Sequence, residues 1–367
     1  MNLDFRFAVI SDPHIALPNT IWDNPLRFHL VEHSIPALEV VLQQLSHEKI
    51  DFLLLPGDLT QHGETENHQW LSNRLAQLPY PVYVIPGNHD VPYPHRHGTH
   101  IGFADFPYYY ETLGYSNPKQ MDYSHEVLPG VKLIALNSNH FDQSGQQLGR
   151  LTTDQLLWLQ EVLTSVEQEL VLVMIHHNVC EHLPGQTNHP LGRRYMLENA
   201  RELLDILRSY GVQLVFTGHL HVQDVASCDG IFDITTGSLV TYPHPYRIIK
   251  FQRDSLGRQL LQINSKRVMS LPNCPELQAF SRNWMGDRSH PFIMRLLTDA
   301  PLHLSIPEAE ALAPDLRNFW AEIAQGDSQF SFPHFPKVAQ VYFESFGAVD
   351  AHGNEALIDN QTTLTLR

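Results

Sequence analysis

Cysteine is scarce in this sequence. Only three of the 367 residues are cysteines, Cys180, Cys228 and Cys274. An odd number without paired spacing implies neither a disulfide framework nor a CxxC zinc site. We therefore expect three buried free thiols.

Basic residues are also few. The chain has 24 Lys and Arg against 40 Asp and Glu, which gives a formal net charge of -16. Phosphate backbones are held mainly by Lys and Arg, so this composition argues against a protein that binds duplex nucleic acid by its own basic surface. An anionic substrate would need positive charge from elsewhere, and the 23 histidines make bound metal ions the obvious source.

Long apolar runs are missing too. No stretch is long enough to cross a bilayer, and the N-terminus has no basic segment followed by an apolar one. We therefore expect no membrane span and a cytoplasmic location. With 43% hydrophobic residues the chain can bury a substantial core, and its length suits one large domain with an appendage, or two domains.

Short apolar runs alternate with amphipathic helical stretches through the first 220 residues. The predicted strands cover residues 7–10, 52–55, 82–85, 132–137, 170–175 and 212–216. Helices are predicted after Ser34 as a cap, over 64–78 and 196–210, and after a Thr152–Gln155 capping box. Two hairpins are predicted over 225–234 and 246–263. This order predicts a layered, mainly parallel α/β core that finishes with antiparallel strands.

Two stretches lack this regularity. Residues 91–130, rich in His and aromatic residues, are predicted to form a long excursion rather than core. Within them, Tyr93 to Tyr110 either forms a wall on which a nucleobase stacks or packs as an ordinary loop. After residue 270 we predict a helix over 307–324 and a hairpin over 350–354.

Five predicted strands end in side chains that can bind metal. These are Asp12 with His14, Asp58, Asn88 with His89, His176, and His219 with His221. A single histidine after a strand is more often structural, but the carboxyl ends of parallel strands share one edge, so five such ends predict one shared site. The alternation in Asp12-x-His14 and His219-x-His221 predicts that each pair lies on one side of an extended backbone.

Seven of these side chains are predicted ligands, too many for one four-coordinate ion but suited to two ions that share a bridge. Asp58 is the natural bridge, because its carboxylate has two oxygens. His, Asp and Asn ligands suit Mn, Fe and Zn alike. Two divalent ions facing only two carboxylates would leave about two positive charges, which would attract a phosphate.

In their order along the chain, Asp12-x-His14, Gly57-Asp58, Gly87-Asn88-His89-Asp90, His176 and Gly218-His219-x-His221 resemble the motifs of the calcineurin-like metallophosphoesterase superfamily. The resemblance implies an α/β fold in which a β-sandwich of two mixed sheets is flanked by helices. It implies a binuclear catalytic domain over residues 1–270. The extension over 271–367 is interpreted as a lid, a dimer arm or an added layer.

The same resemblance implies a role for each site residue. His89 would be the outer-sphere acid, with Asp90 behind it. One ion would be held by Asp12, His14, Asp58 and His221, and the other by Asp58, Asn88, His176 and His219.

Within the superfamily, Gly57-Asp58-Leu59-Thr60-x-x-Gly63 is similar to the class III cyclic-nucleotide phosphodiesterase branch. Gln61-His62-Gly63 departs from the Asp-Arg-Gly of protein Ser/Thr phosphatases, whereas Asn178-Val179 and Asn137 depart from the cyclic-nucleotide branch near the substrate side. The expected reaction is hydrolysis of a small-molecule phosphodiester, a 3′,5′-cyclic nucleotide, by a metal-bridging hydroxide. The alternatives are phospholipid head groups, nucleotide derivatives, a DNA nuclease, disfavoured by the missing basic surface, and a metal-stabilised scaffold without catalysis. A homo-oligomer is left open.

Overall fold

The computed structural model describes residues 3–22, 24, 27–166, 170–254, 256–350 and 352–366. Strands are numbered in chain order as β1 (Asp4–Val9), β2 (Phe52–Leu55), β3 (Val82–Val84), β4 (Tyr123–Leu128), β5 (Val131–Leu136), β6 (Asn139–Phe141), β7 (Gln147–Gly149), β8 (Leu170–Ile175), β9 (Leu214–Thr217), β10 (Asp224–Cys228), β11 (Ile231–Thr235), β12 (Pro245–Arg253), β13 (Gln259–Arg267) and β14 (Gln361–Leu366).

Helices flank these strands. They are α1 (Ser34–Leu45), α2 (Thr65–Leu75), α3 (Phe106–Tyr109), α4 (Thr153–Thr164), α5 (Pro190–Arg193), α6 (Ala200–Ser209), α7 (Leu277–Arg288), α8 (His290–Thr298), α9 (Ile306–Leu312), α10 (Phe319–Gln325) and α11 (Lys337–Glu344). Short 3₁₀ turns cover Val31–His33, Glu111–Leu113 and Ala313–Leu316. Among the described residues, no helix has the length and apolar character needed to cross a membrane.

Two six-stranded mixed sheets form the centre of the fold. The first has the order β14-β13-β12-β1-β2-β3 and the second β10-β11-β9-β8-β5-β4. Strands β1, β2 and β3 are parallel, as are β5, β8, β9 and β11, while β12 to β14, β4 and β10 run antiparallel to their neighbours. The predicted α/β fold with two mixed sheets and flanking helices is confirmed, as are the six predicted strands and both hairpins.

Aromatic packing joins the two sheets. Phe7 of the first sheet stacks on Phe52 with ring centroids 4.8 Å apart, and it meets Phe216 of the second sheet edge to face at 5.4 Å. The outer face of the second sheet packs on α4 and α6 through residues that include Leu159 and Leu203. Strand β8 is therefore buried at every position, because apolar side chains cover both of its faces.

Of the two predicted helix caps, one is confirmed and the other is wrong. The capping box of Thr152 and Gln155 is confirmed at the start of α4. The prediction that Ser34 caps α1 is wrong, since Ser34 is the first helical residue and its hydroxyl accepts a hydrogen bond from the Ala16 backbone N–H at 3.1 Å. The reason is that the 3₁₀ turn Val31–His33 runs directly into the helix.

The stretch 91–130 is not an excursion outside the core. Phe106, Tyr110, Tyr115 and Tyr123 are all buried in the main apolar cluster, and Tyr123 begins the edge strand β4. These rings come from a four-residue helix, from turns and from the start of β4, so they leave no sustained helical or strand period in the sequence. This is why the pattern misled the prediction.

Of the two C-terminal predictions, the one of a single helix needs correction. Residues 307–324 do not form one helix but α9, a 3₁₀ turn and α10, because Pro314 lacks the N–H that a continuous helix needs there. The predicted final hairpin is confirmed in a short form, because Val349 and Glu355 make an antiparallel bridge and the Asp350 backbone N–H donates to the Asn354 carbonyl at 2.7 Å. The last strand, β14, pairs with β13. Ser255 and Ala351, predicted to lie in hairpin turns, fall outside the described residues.

The cysteine prediction is wrong for two of the three residues. Cys180 and Cys228 form a disulfide, with Cα atoms 5.8 Å apart and a sequence separation of 48 residues. Cys274 is a free, partly exposed thiol. The fold places the loop after β8 beside the end of β10, and spacing along the chain carries no sign of that meeting.

The division at residue 270 stays a prediction. Residues after it contribute both to the first sheet, through β14, and to an apolar cluster of their own built from α7 to α11. That cluster also contains Leu220 and Val222, which follow β9. The C-terminal helices therefore pack directly against the segment that carries His219 and His221.

Candidate metal centre

The side chains predicted to bind metal meet at one end of the two sheets. Each follows the C-terminal end of β1, β2, β3, β8 or β9. Two groups of these side chains could each hold an ion, because within each group the ligand atoms lie within 4.8 Å of one another. The first group is Asp12, His14, Asp58 and His221, and the second is Asp58, His176 and His219.

Asp58 belongs to both groups because its two carboxylate oxygens point to different sides. Oδ2 lies 3.7 Å from Nε2 of His14, and Oδ1 lies 3.5 Å from Nε2 of His176. Asn88 joins the second group, with Oδ1 3.2 Å from the same His176 nitrogen. The arrangement is that of two adjoining ligand sets with one shared carboxylate.

The alternation of residues predicted an extended backbone at this site, and that prediction is wrong. Asp12, His14, Asp58, His219 and His221 all have positive φ, between 41° and 67°. Residues other than glycine adopt this left-handed region infrequently, and such conformations concentrate at functional sites. The paired side chains converge through these left-handed turns rather than through strand alternation.

Glycine is required beside the shared carboxylate. A Cβ atom built at Gly87 would collide with the backbone nitrogen and Oδ1 of Asp58. Any larger residue would push the loop after β3 away from the loop after β2. The Gly87-Asn88 pair therefore keeps two of the predicted ligands close together.

Backbone carbonyls fix the orientation of two imidazoles. Nδ1 of His176 donates to the Pro56 carbonyl at 2.7 Å, and Nε2 of His219 donates to the Arg194 carbonyl at 3.2 Å. Since carbonyls only accept, Nε2 of His176 and Nδ1 of His219 are left as the ligand atoms.

Burial and charge set the protonation of the cluster. Burial, with a contribution from His29, holds the pKa of His14 well below its ordinary value, so this ring is neutral and able to bind metal. Burial would lower the pKa of His176 too, but the Asp58 carboxylate outweighs it and raises that pKa to about 9. Asp58 thus favours a positive charge at the place where a cation would bind.

The residues present fit a metal. The donor set consists of imidazole nitrogens and carboxylate or amide oxygens, which suits first-row divalent ions. Nε2 of His14 and Nε2 of His221 lie only 3.3 Å apart, and Oδ1 of Asp12 lies 3.1 Å from the latter. So close a convergence of acceptor atoms is what a cation would stabilise.

The side chains of His89 and Asp90 were predicted to contact each other, but they bind different partners. Nδ1 of His89 donates to the Gln61 carbonyl at 2.7 Å. The Asp90 carboxylate instead accepts the backbone N–H groups of Leu59, Thr60 and Gly87 at 2.8–2.9 Å. The expectation that Asp90 lies behind His89 is therefore corrected: Asp90 braces the loops after β2 and β3, and Gln61 orients the imidazole.

Three further histidines lie at the site and were missed. The His29 ring lies 4.3 Å from that of His14, His62 stacks on His89 at 4.8 Å, and His177 lies 4.5 Å from His219. His29 follows no predicted strand, so no pattern marked it. His177 directly follows a predicted ligand, and His62 lies in the Gln61-His62-Gly63 motif, which were the available signals.

A cavity of about 390 Å³ opens onto the cluster. Its floor includes Asp58, Asn88, His89, His219 and His221. Side chains from the C-terminal helices also line it. Residues 93–110 do not line it, which favours ordinary loop packing over the stacking wall considered for that stretch.

Most of the chain is similar to known proteins. A family described as calcineurin-like phosphoesterase matches residues 5–223. A Moraxella catarrhalis protein named "Probable cyclic nucleotide phosphodiesterase" is 26% identical over 221 residues, 60% of this chain and 72% of that protein. An Arcobacter nitrofigilis protein named "Probable glycerophosphodiester phosphodiesterase GpdQ" is 26% identical over 236 residues, 62% and 76% of the two chains. The structure of a dimetal phosphatase from Danio rerio has a TM-score of 0.52 at 18% identity, covering 70% of this chain and 95% of that one, and so shares the fold.

Proposed function

The chain belongs to the calcineurin-like phosphoesterase family and is a phosphoesterase, and from this premise we propose that it hydrolyses a phosphodiester at a centre of two metal ions. The observation that carries the proposal is the position of Asp58 between two ligand groups. Asp12, His14, Asp58 and His221 would hold one ion. Asp58, Asn88, His176 and His219 would hold the other, and Mn, Fe and Zn all suit this set.

When bound, the ions would supply an activated water as nucleophile and neutralise charge on the phosphoryl oxygens. The chain supplies the rest. His89 lines the cavity, and because its Nδ1 donates to Gln61, its Nε2 is the nitrogen available to a substrate. That nitrogen would hold a proton for the departing oxygen, a contribution typically of about 10² to 10⁴-fold in rate.

Neighbouring groups keep His89 in place. Its ring stacks on His62 at an interplanar angle of 13°, and its backbone N–H donates to Oδ1 of Asp58 at 2.8 Å. Asp90 acts further out, as a positioning residue that holds the loops together. We assign His89 the catalytic role and Asp90 the supporting one.

The substrate that we propose first is a 3′,5′-cyclic nucleotide, since the Moraxella relative is named as a probable cyclic nucleotide phosphodiesterase. Glycerophosphodiesters are the second candidate, from the name of the Arcobacter relative. Phospholipid head groups and nucleotide derivatives fall under the same chemistry. A non-catalytic scaffold is disfavoured, because it has no use for an imidazole held as His89 is.

A cytoplasmic location and a homo-oligomer are further proposals. A cytoplasmic location must accommodate the Cys180–Cys228 disulfide, since disulfides are rare in that compartment. Thiol trapping in cells would show whether the pair is oxidised there. A homo-oligomer is testable by light scattering.

The test of the proposed function is turnover by protein stripped of metal and reloaded with Mn²⁺. Bis-p-nitrophenyl phosphate and 3′,5′-cyclic AMP are assayed side by side, with the stripped protein as control. Metal-dependent cleavage of both supports the cyclic-nucleotide assignment. Cleavage of the generic diester alone moves the substrate to other diesters, and cleavage of neither, with two ions bound, refutes the proposal in favour of the scaffold.

A further inference from the structure

The cavity that opens onto the metal cluster is also lined by aromatic rings. Their side chains come from α8, α10, α11 and the turn after it, all beyond the residues that match the phosphoesterase family. We call this surface the aromatic wall. It consists of Phe292, Phe319, Trp320, Tyr342 and Phe346.

The aromatic wall is held at a fixed place relative to the candidate ligands. Leu220 and Val222 alternate with His219 and His221 and are buried in the same apolar cluster as Phe319. A movement of the wall would therefore disturb the segment that presents two metal ligands. The chemistry at the cluster and the shape of the wall are coupled by packing.

The rings of the wall contact one another mainly edge to face. Phe292 and Trp320 have centroids 5.2 Å apart with planes at 64°, and Tyr342 and Phe346 have centroids 5.3 Å apart with planes at 78°. Four of the five are only partly buried, so they present ring surface to the cavity. Another aromatic ring placed there would extend this network, which aromatic groups prefer over contact with water.

The wall offers little hydrogen bonding. Of its five residues only Trp320 and Tyr342 carry a polar side-chain atom, and the neighbouring Met285 and Leu296 add apolar surface. A sugar or a glycerol group would leave its hydroxyls without partners there, which is costly. A flat ring with apolar faces would not.

We propose that the aromatic wall binds an aromatic ring of the substrate while the phosphate lies at the metal cluster. The inference rests on the proposed function, and it assigns the substrate class as phosphodiesters that carry such a ring, as a purine nucleotide does. The space is sufficient: the cavity of about 390 Å³ is more than twice the ~150 Å³ of an engineered apolar cavity that binds benzene.

The test measures binding rather than turnover. Dissociation constants of phenylphosphonate, cyclohexylphosphonate and methylphosphonate are determined by calorimetry on the full chain loaded with Mn²⁺. Stacking of a ring on aromatic side chains predicts that phenylphosphonate binds about 5- to 150-fold more tightly than methylphosphonate. Cyclohexylphosphonate, similar in size but not flat, should bind more weakly than the phenyl compound.

Variants locate the effect. Trp320→Ala should reduce the preference for phenyl over methyl, measured as the ratio of the two dissociation constants, at least fivefold, and Trp320→Phe should restore most of the preference. The ratio cancels any change at the metal cluster, because both compounds bind there through the same phosphonate. Phe280→Ala removes an exposed ring from α7 outside the cavity and should change neither constant.

Several outcomes would overturn the inference. These are equal binding of phenyl and methyl compounds, equal or tighter binding of the cyclohexyl compound, and an unchanged preference in folded Trp320→Ala. If the ring preference is found but bis-p-nitrophenyl phosphate is not cleaved, the proposed function fails and the ring site stands. If cleavage occurs without the preference, the reverse holds.

Discussion

Replacement of His182 by glutamine is expected to remove a large part of the pH dependence of stability in alkaline solution. The His182 imidazole is fully buried between two carboxylates, with Nδ1 2.5 Å from Asp224 and Nε2 3.2 Å from Asp233. Asp233 also accepts the backbone N–H groups of Val179 and Cys180, so this ion-pair cluster fastens the loop that follows His176.

The sign of the effect follows from the pKa. Burial alone would lower the pKa of His182, but the carboxylates of Asp233 and Asp224 outweigh it and raise the pKa to about 10. A histidine whose pKa is raised by folding stabilises the protein fully below its unfolded pKa of about 6.5, and the contribution is lost as pH rises through the folded value. At about 1.4 kcal/mol per unit, the contribution should fall by ~3 kcal/mol between about pH 6.5 and pH 9.

The assay is urea unfolding of metal-stripped protein at both pH values. Titrating groups shared by wild type and variant cancel in their difference, so the loss caused by His182→Gln should be ~3 kcal/mol larger at the lower pH. His352→Gln, whose side chain is 83% exposed, should change stability little at either pH. A His182→Gln effect of equal size at the two pH values would refute the reasoning.

Three further predictions concern the site and the disulfide. His89→Ala should keep its metal, measured by atomic emission, while turnover of bis-p-nitrophenyl phosphate falls by about 10² to 10⁴; metal loss would contradict a role outside the ligand set. Gly87→Ala should lower the amount of bound metal and the thermal stability, because the new Cβ collides with the shared carboxylate of Asp58. Gly347→Ala should lower neither, since no atom lies nearer than 3.4 Å to a Cβ built there. Equal effects of the two substitutions would overturn the steric argument. Cys180→Ser should lower the free energy of unfolding by about 2–4 kcal/mol in oxidised protein and should not change it in reduced protein. Cys274→Ser is the control and should not change it in either state. A loss of stability that persists after reduction would show that the missing disulfide is not the cause.

The strand ends were predictable because two local signals agreed. Apolar runs marked strands such as β8, and a polar residue directly after each run marked the edge where ligands meet. His176 and Asp58 could be placed together on that basis alone. What the pattern could not give was the backbone, since the left-handed conformation at Asp12 or His219 has no counterpart in the spacing of residues.

Features that depend on tertiary contacts could not be predicted from the sequence. His29 enters the site from an irregular segment, and Cys180 meets Cys228 because the fold brings the loop after β8 beside the end of β10. The aromatic wall was missed for the same reason. Phe319 and Tyr342 lie in helices whose apolar residues read as ordinary core, and nothing local shows that they face the metal cluster.

The most direct test of the central claim is the number of metal ions bound per chain. Atomic emission on protein stripped and reloaded with Mn²⁺ should find two ions in the wild type. Asp58→Ala, folded by circular dichroism, should fall to one or none, because the carboxylate removed faces both ligand groups. A wild type that takes up a single ion, or an Asp58→Ala variant that retains two, would contradict the account.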